Sequence, residues 1–245
     1  MVAMLLIGAV LAGCATVSGT QDHETSDPLE PMNRAVFDMN TAIDAAVVKP
    51  IAQAYRAIVP PFVRDRIRMF VDNLAEPRVF ANDLLQFRIN AAGTTFTRFL
   101  VNSTVGLAGM FDVATKQGLP RQSGDFGETL YIWGFGGGPY LVLPLFGPSN
   151  FRDAIGLGVD LYTTPPAHLF AGNTGIYVNA GVYTLSAFDL RSRNIETLDE
   201  IKASALDYYA QFGSIVRQHR EAELRAARGL PEQPQELVDP GAPPE

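Results

Sequence analysis

The sequence predicts a mainly α-helical body, and three observations predict it. Apolar residues recur at steps of three and four through most of the chain after residue 27, the spacing that keeps side chains on one face of a helix. Pro and Gly punctuate those stretches, as they do where helices start and stop. No stretch after Cys14 has the length and apolarity of a membrane-spanning helix, which needs roughly 20 apolar residues.

The N-terminus comes first. Residues 1–12 carry no charge and are almost wholly apolar. That run is too short to cross a bilayer but has the length of a signal peptide's apolar core. No Lys or Arg precedes it, a departure from the usual positively charged start. It ends in Leu11-Ala12-Gly13-Cys14, which resembles the lipobox of bacterial lipoproteins: an aliphatic residue, two small ones, then cysteine. Small residues let a peptidase grip the extended backbone, and the thiol carries the diacylglycerol. Residues 1–13 are therefore expected to be a removed signal peptide, Cys14 the lipidated residue, and 14–26 a polar tether. Ala15 in place of Asp favours the outer membrane. A second acyl chain on the same cysteine makes anchoring stable where one chain is marginal. Cys14 is the sole cysteine, so the body has no internal disulfide and depends on packing.

The body, residues 27–228, opens with Asp27-Pro28-Leu29-Glu30, a helix start with Asp as cap, though Pro31 moves the start toward its far side. Met32, Val36, Met39, Ile43 and Val47 form one stripe. Pro50, Pro60 and Pro61 break the next stretch. Val63, Ile67, Phe70 and Leu74 form a second stripe, stopped by Pro77, and Phe80 and Leu84 continue it in a short helix. Ile89, Ala92, Phe96, Phe99, Leu100 and Ser103 mark a longer helix. From Gly106 to Gly127 the signal is short and interrupted. The segment 129–153 is the least ordinary: Gly134, Gly136, Gly137 and Gly138 loosen the backbone, and Pro144 inside Tyr140–Phe146 excludes a plain central strand. Ser149 is placed to cap a helix over about 150–162. Ile176, Ala180, Tyr183 and Ala187 mark another, and Leu198 through Ala205, Tyr208, Phe212 and His219 a long amphipathic one. Residues 229–245 are Pro-rich and acidic, a disordered tail.

Composition narrows the function. Charged residues make up 18% of the chain and hydrophobic ones 47%, against roughly 25% charged in ordinary soluble domains. Such a chain buries much or faces something apolar. A net charge of −7 argues against a nucleic-acid partner. His23, His168 and His219 are scattered, so no zinc set forms. There is no G-x-S-x-G elbow and no phosphate loop. Pro139 stands where a dinucleotide fingerprint needs its third Gly. Asp125 and Glu128 read as the solvated first turn of a short helix rather than as paired catalytic acids. No catalytic residue, metal or cofactor is assigned. Arg34, Lys49, Arg56, Arg64, Arg66, Arg68, Arg78, Arg88 and Arg98 crowd the first half of the body. Arg grips phosphate well, but pairing with Asp38, Asp44, Asp65, Asp72, Glu76 and Asp83 is the simpler expectation.

Four blocks in order, DPLEPMNRAVFDMNTAIDAAVVKPIAQAYRAIVPPFVRDRI, VDNLAEPRVFANDLLQ, TRFLVNSTVGLAGMFDVA and DFGETLYIWGFGGGPYLVLPLFGPSNFRDAIG, resemble the MlaA/VacJ family of outer-membrane lipoproteins over about residues 27–166. The resemblance implies a compact, ring-like helical body lying in the inner leaflet of the outer membrane, on its periplasmic face. It implies a channel that passes phospholipid strayed into the outer leaflet to a periplasmic carrier of the MlaC type, association with trimeric porin, and an outer leaflet kept asymmetric. Within that frame the Gly/Pro-rich loop lines the lipid path, with Trp133, Gly136, Gly137, Gly138, Pro139, Tyr140 and Phe146 as candidates, since non-helical backbone at membrane depth is tolerated where it is buried or lines a cavity. Two other functions compete: a porin-associated structural lipoprotein, and an enzyme acting on envelope lipid. Charge-rich helices would suit the first better, and the second lacks a nucleophile set.

Overall fold

A computed structural model describes residues 27–165 and 173–230. The signal peptide, Cys14, the tether, His168 and nearly all of the tail fall outside the described residues. The regular structure of the described residues is helical except for one β-hairpin.

Helix α1 (Glu30–Ile43) begins one residue before Pro31, not after it. Asp27 does not cap it directly. Its carboxylate accepts from the Leu29 backbone N–H at 3.0 Å, turning the chain into the helix. Pro50 does not break the chain either. A π-helical turn, Asp44–Val48, carries α1 into α2 (Lys49–Ile58), and the Lys49 N–H reaches back five residues to the Asp44 carbonyl. That wider turn makes room ahead of the proline ring. Helix α3 runs unbroken over Pro61–Leu85 with Pro77 inside it, so the expected stop at Pro77 is wrong. Proline removes one ladder bond, but α3 packs on α4 (Ile89–Thr104), whose Arg98 holds Glu76 beside the proline at 3.2 Å, and tertiary contact outweighs local preference.

A short α5 (Val113–Lys116) and α6 (Phe126–Ile132) follow, each capped by an aspartate, Asp112 and Asp125. Strands β1 (Tyr140–Leu143) and β2 (Gly147–Asn150) pair antiparallel, Tyr140 opposite Asn150 and Leu143 opposite Gly147. The Gly/Pro-rich segment is thus partly sheet, with Pro144 in the turn. Helix α7 (Phe151–Thr163) is capped by Asn150, not by Ser149: the Asn150 side chain accepts from the Asp153 N–H at 2.9 Å. Helix α8 (Asn173–Arg193) packs on α2. The expected long last helix is two, α9 (Ile195–Ser204) and α10 (Tyr208–Ala227), because the chain extends at Ala205 and Asp207 recaps it.

Parts of several helices are inverted relative to a soluble protein. Among the described residues the buried apolar side chains are Phe37, Ala52, Val79, Ala92, Ala114, Val142, Ile195 and Leu224, three of them alanines. Buried alongside are Asn33, Asn73, Glu76, Asn82, Asp83, Thr95, Arg98, Asn102, Glu128, Arg152 and Asp160. Large apolar residues lie outside instead: Ile58 is 78% exposed, Phe87 80%, Val105 68% and Leu107 58%. The stripes found by periodicity exist, but parts of them point outward. In α1 and the π turn that follows it Met32, Met39 and Val47 are exposed while Asn33 and Phe37 are buried, and in α4 Phe96 and Leu100 are exposed while Thr95, Arg98 and Asn102 are buried.

Candidate functional site

The polar strip of α3 joins the fold. Asp83 accepts from Thr95 Oγ1 at 2.8 Å. Arg98 donates through Nε to Glu76 at 3.2 Å and through Nη1 to Thr115 Oγ1 at 2.8 Å, and its Nη2 lies 3.4 Å from Asp112. Asn102 Oδ1 accepts from the backbone of Val113 and Ala114, tying α4 to α5. Asn82 donates to Asp160 on α7 and accepts from Thr129 on α6. Arg78 pairs with Asp160 at 3.1 Å. Burial pushes the Glu76, Asp83 and Asp160 carboxyls up from their ordinary values, against the pull of Arg98, Thr95 and Arg78 respectively. Charged side chains are seldom fully buried unless paired. These are paired, and they replace the apolar core that the exposed residues do not form.

Most of the basic residues therefore pair rather than wait for phosphate. Arg34 meets Glu30 and Asp207, Lys49 meets Asp199, Arg56 meets Glu196, Arg68 meets Asp65, and Arg88 meets Asp83. Arg66 stacks its guanidinium over Phe62 and Phe111.

The seven lipid-path candidates do not form one cluster. Trp133 is 46% exposed at the end of α6. Its indole N–H donates to the Leu85 carbonyl at 3.0 Å, pinning it to the end of α3. The Gly136 position faces open space, with nothing within 4 Å of where a Cβ would lie. The Gly137 and Pro139 carbonyls accept from the first N–H groups of α7, those of Arg152 and Phe151. Gly138 has φ +68°, and a Cβ there would sit 3.0 Å from Phe151 Cβ, so only glycine fits without strain. Tyr140 is half-buried between α1 and α10, its ring under Arg217 at 5.1 Å and its hydroxyl buried without a hydrogen bond. Phe146 projects from the hairpin tip, 55% exposed.

Two asparagines that periodicity passed over hold the hairpin. Asn33 accepts from the Val142 N–H at 2.9 Å and donates to the Tyr140 carbonyl at 3.1 Å. Asn40 accepts from the Leu145 N–H at 2.8 Å and donates to the Leu143 carbonyl at 2.9 Å. The signal was present in the sequence: Asn33, Phe37, Asn40 and Asp44 share the three-and-four spacing of the inward face.

Asp125 and Glu128 are not a solvated turn. Glu128 is 1% exposed. Asp125 takes two bonds from Arg220 of α10, at 2.7 and 2.9 Å, and the same guanidinium reaches Asp153 at 3.1 Å and Glu223 at 3.1 Å. Helices α6 and α7 approach closely at Gly156, where a Cβ would lie 2.3 Å from the Gly127 nitrogen. Glu128 is left 3.6 Å from Arg220, its Oε2 without a partner. Burial, then the charge of Asp125, push its carboxyl up to about 8.

The sequence profile of the MlaA lipoprotein family matches residues 25–223. An uncharacterized protein of Rickettsia felis is 34% identical over 202 residues, 82% of this chain and 79% of that one. The intermembrane phospholipid transport system lipoprotein MlaA of Escherichia coli (strain K12) is 39% identical over 155 residues, 62% of this chain and 61% of that one. Its namesake in Haemophilus influenzae is 31% identical over 240 residues, 96% and 94% respectively. A solved chain from work on the "Structural basis for maintenance of bacterial outer membrane lipid asymmetry" superposes with a TM-score of 0.71 at 30% identity, over 81% of this chain and 99% of that one.

Proposed function

This chain belongs to the MlaA lipoprotein family, and from that premise we propose that it removes misplaced phospholipid from the outer leaflet of the outer membrane and passes it to a periplasmic carrier. Relatives in Escherichia coli and Haemophilus influenzae carry the name of an intermembrane phospholipid transport lipoprotein. The observation that carries the reading here is the inversion. Large apolar side chains outside and paired polar side chains inside match a body whose surroundings are hydrocarbon and whose interior has water or headgroups to face. In hydrocarbon the helices gain nothing from hiding Phe and Leu, and polar bonds between helices do the joining. No described helix is long and apolar enough to cross a membrane. A body lying in one leaflet, tethered through Cys14, satisfies both facts.

In this reading the passage is non-covalent: lipid moves along the body with no bond made or broken, and purified protein leaves labelled phospholipid unhydrolysed. Trp133, Gly136–Tyr140 and Phe146 border the lipid path, and a trimeric porin and a carrier of the MlaC type are the partners. Gly136 offers the cleanest probe, because a side chain there meets open space and leaves the fold alone. Gly136→Leu is expected to raise outer-leaflet phospholipid at normal protein level. The primary test is surface-exposed phospholipid in a strain lacking this protein, complemented with wild type or with Cys14→Ala. Loss is expected to raise it, and wild type alone to restore it. Unchanged asymmetry together with lowered porin would favour the structural-lipoprotein reading instead.

A further inference from the structure

Between α3, the 121–124 segment, α6 and α10 lies a cleft walled by Ala75, Val79, Arg78, Arg121, Glu128 and Glu223, among others. Its charges are unbalanced at one end. Arg220 faces four carboxylates, those of Asp125, Asp153, Glu223 and Glu128. Arg152 assists Asp153 alone, at 2.9 Å. The shortfall falls on Glu128, which is 1% exposed and whose Oε2 has no hydrogen-bond partner. An orphaned carboxylate oxygen that deep is costly unless something meets it. Among the described residues no grouping of acids suits a metal ion. A hydrogen-bond donor that carries positive charge, such as a primary ammonium, has the chemistry to meet that oxygen. The other end of the cleft is basic. Arg78 spends one contact on Asp160 and keeps a buried Nε unpartnered, and Arg121, half exposed, spends one on Asp72. A guanidinium has five donors, so both retain capacity for phosphate oxygens.

We propose that this cleft is a headgroup subsite for an aminophospholipid, receiving the ammonium on Glu128, Asp125 and Glu223 and the phosphate on Arg78 and Arg121. The inference rests on the phospholipid-transport reading and deepens it: the protein distinguishes ethanolamine headgroups from uncharged ones such as glycerol. The groups facing Glu128 are Asp125 from its own helix start, Arg220 and Glu223 from α10, and Arg88 from the turn after α3. Arrival of a cation favours the ionised carboxylate, so binding expels the proton that burial holds on Glu128. Preference for the amine should therefore strengthen as pH rises, over a range where the amine itself stays charged.

The test loads the full-length lipidated protein, in detergent, from mixed micelles of equimolar phosphatidylethanolamine and phosphatidylglycerol at pH 6.5 and 8.5, and weighs the retained lipid by mass spectrometry. Wild type is expected to retain phosphatidylethanolamine over phosphatidylglycerol, with a ratio that grows several-fold between the two pH values. Glu128→Gln, which mimics the protonated acid, is expected to give a ratio near one at both. Arg121→Gln, on the exposed rim, is expected to lower retention of both lipids while the ratio stays. Soluble glycerophosphoethanolamine should compete with lipid in wild type and not in Glu128→Gln. A wild-type ratio near one at both pH values overturns the subsite, and needs no variant to fold. So does a Glu128→Gln protein that keeps the wild-type ratio and its pH dependence. Retention of neither lipid by wild type would instead strike at phospholipid transport itself, and the subsite with it.

Discussion

The α3–α4 pair and the α1–α10 contact are both helix-on-helix, yet they are built on opposite rules. Between α1 and α10 the packing is aromatic: Phe37 lies 5.2 Å from Tyr208, 5.5 Å from Tyr209 and 6.0 Å from Phe212, ring centre to ring centre. Between α3 and α4 the inward residues are Asn73, Glu76, Asp83, Thr95, Arg98 and Asn102; Leu100 is exposed, and the one aromatic pair, Phe80 with Phe96 at 5.6 Å, keeps Phe96 about half exposed. The first contact would hold in water, where burying rings is favourable. The second gives up that source of stability. It makes sense where the outside is itself apolar and directional polar bonds are what hold helices together.

Removing one half of the polar joint should give the largest effect. Arg98→Met leaves Glu76 buried and unpaired, and is expected to cost about 3–5 kcal/mol in denaturant unfolding of the detergent-solubilised protein. Adding Glu76→Gln should recover much of that loss. A double variant as unstable as the single one would mean that the joint is not an ion pair of the kind described. Phe37→Ala, at the aromatic joint, should cost about 3 kcal/mol by leaving a cavity, and no second change nearby should rescue it.

An effect of intermediate size depends on pH. Glu128 is held protonated in the fold up to about 8, whereas in the unfolded chain it ionises near its ordinary value of roughly 4.3. The folded state then binds the extra proton between those values, so this group's contribution is full at acid pH and is lost as pH rises through about 8. Wild type should thus lose stability relative to Glu128→Gln as pH rises from about 5 to 9, and parallel stability curves would contradict the buried, neutral acid. The smallest effect on folding belongs to the outer face. Leu100→Ser is expected to change unfolding by no more than about 0.5 kcal/mol, yet to weaken recovery of the protein with membranes in flotation, because burial of a Leu side chain in acyl chains is worth roughly 1.5–3 kcal/mol. A large loss of folding stability there would place Leu100 in a core.

The same contrast explains what could be read from the sequence. Helical existence was legible throughout, since spacing of three and four marks a stripe whichever way it faces. The direction was not: Met32 and Met39 outside, with Asn33 and Phe37 inside, look identical in period to the reverse. Proline was over-read. Pro50 and Pro77 both sit within continuous helix because a π turn or a packed neighbour absorbs the lost bond. The break between α9 and α10 was under-read, although Asp207 is an ordinary cap. In the glycine-rich segment the backbone freedom was legible, but the strand register was not, because it depends on Asn33 and Asn40 of a distant helix. Glu128 looked like a solvent-facing acid because nothing local shows that Arg220, 92 residues on, would close over it.

If outward apolar side chains are solvated by lipid tails, the single tryptophan of the chain reports on it without a label. Trp133 is 46% exposed beside the end of α3. In vesicles of phospholipid brominated along the acyl chains its fluorescence should be strongly quenched, while acrylamide in the water should quench it weakly. Strong acrylamide quenching with no response to the brominated chains would contradict the claim and put this face in water.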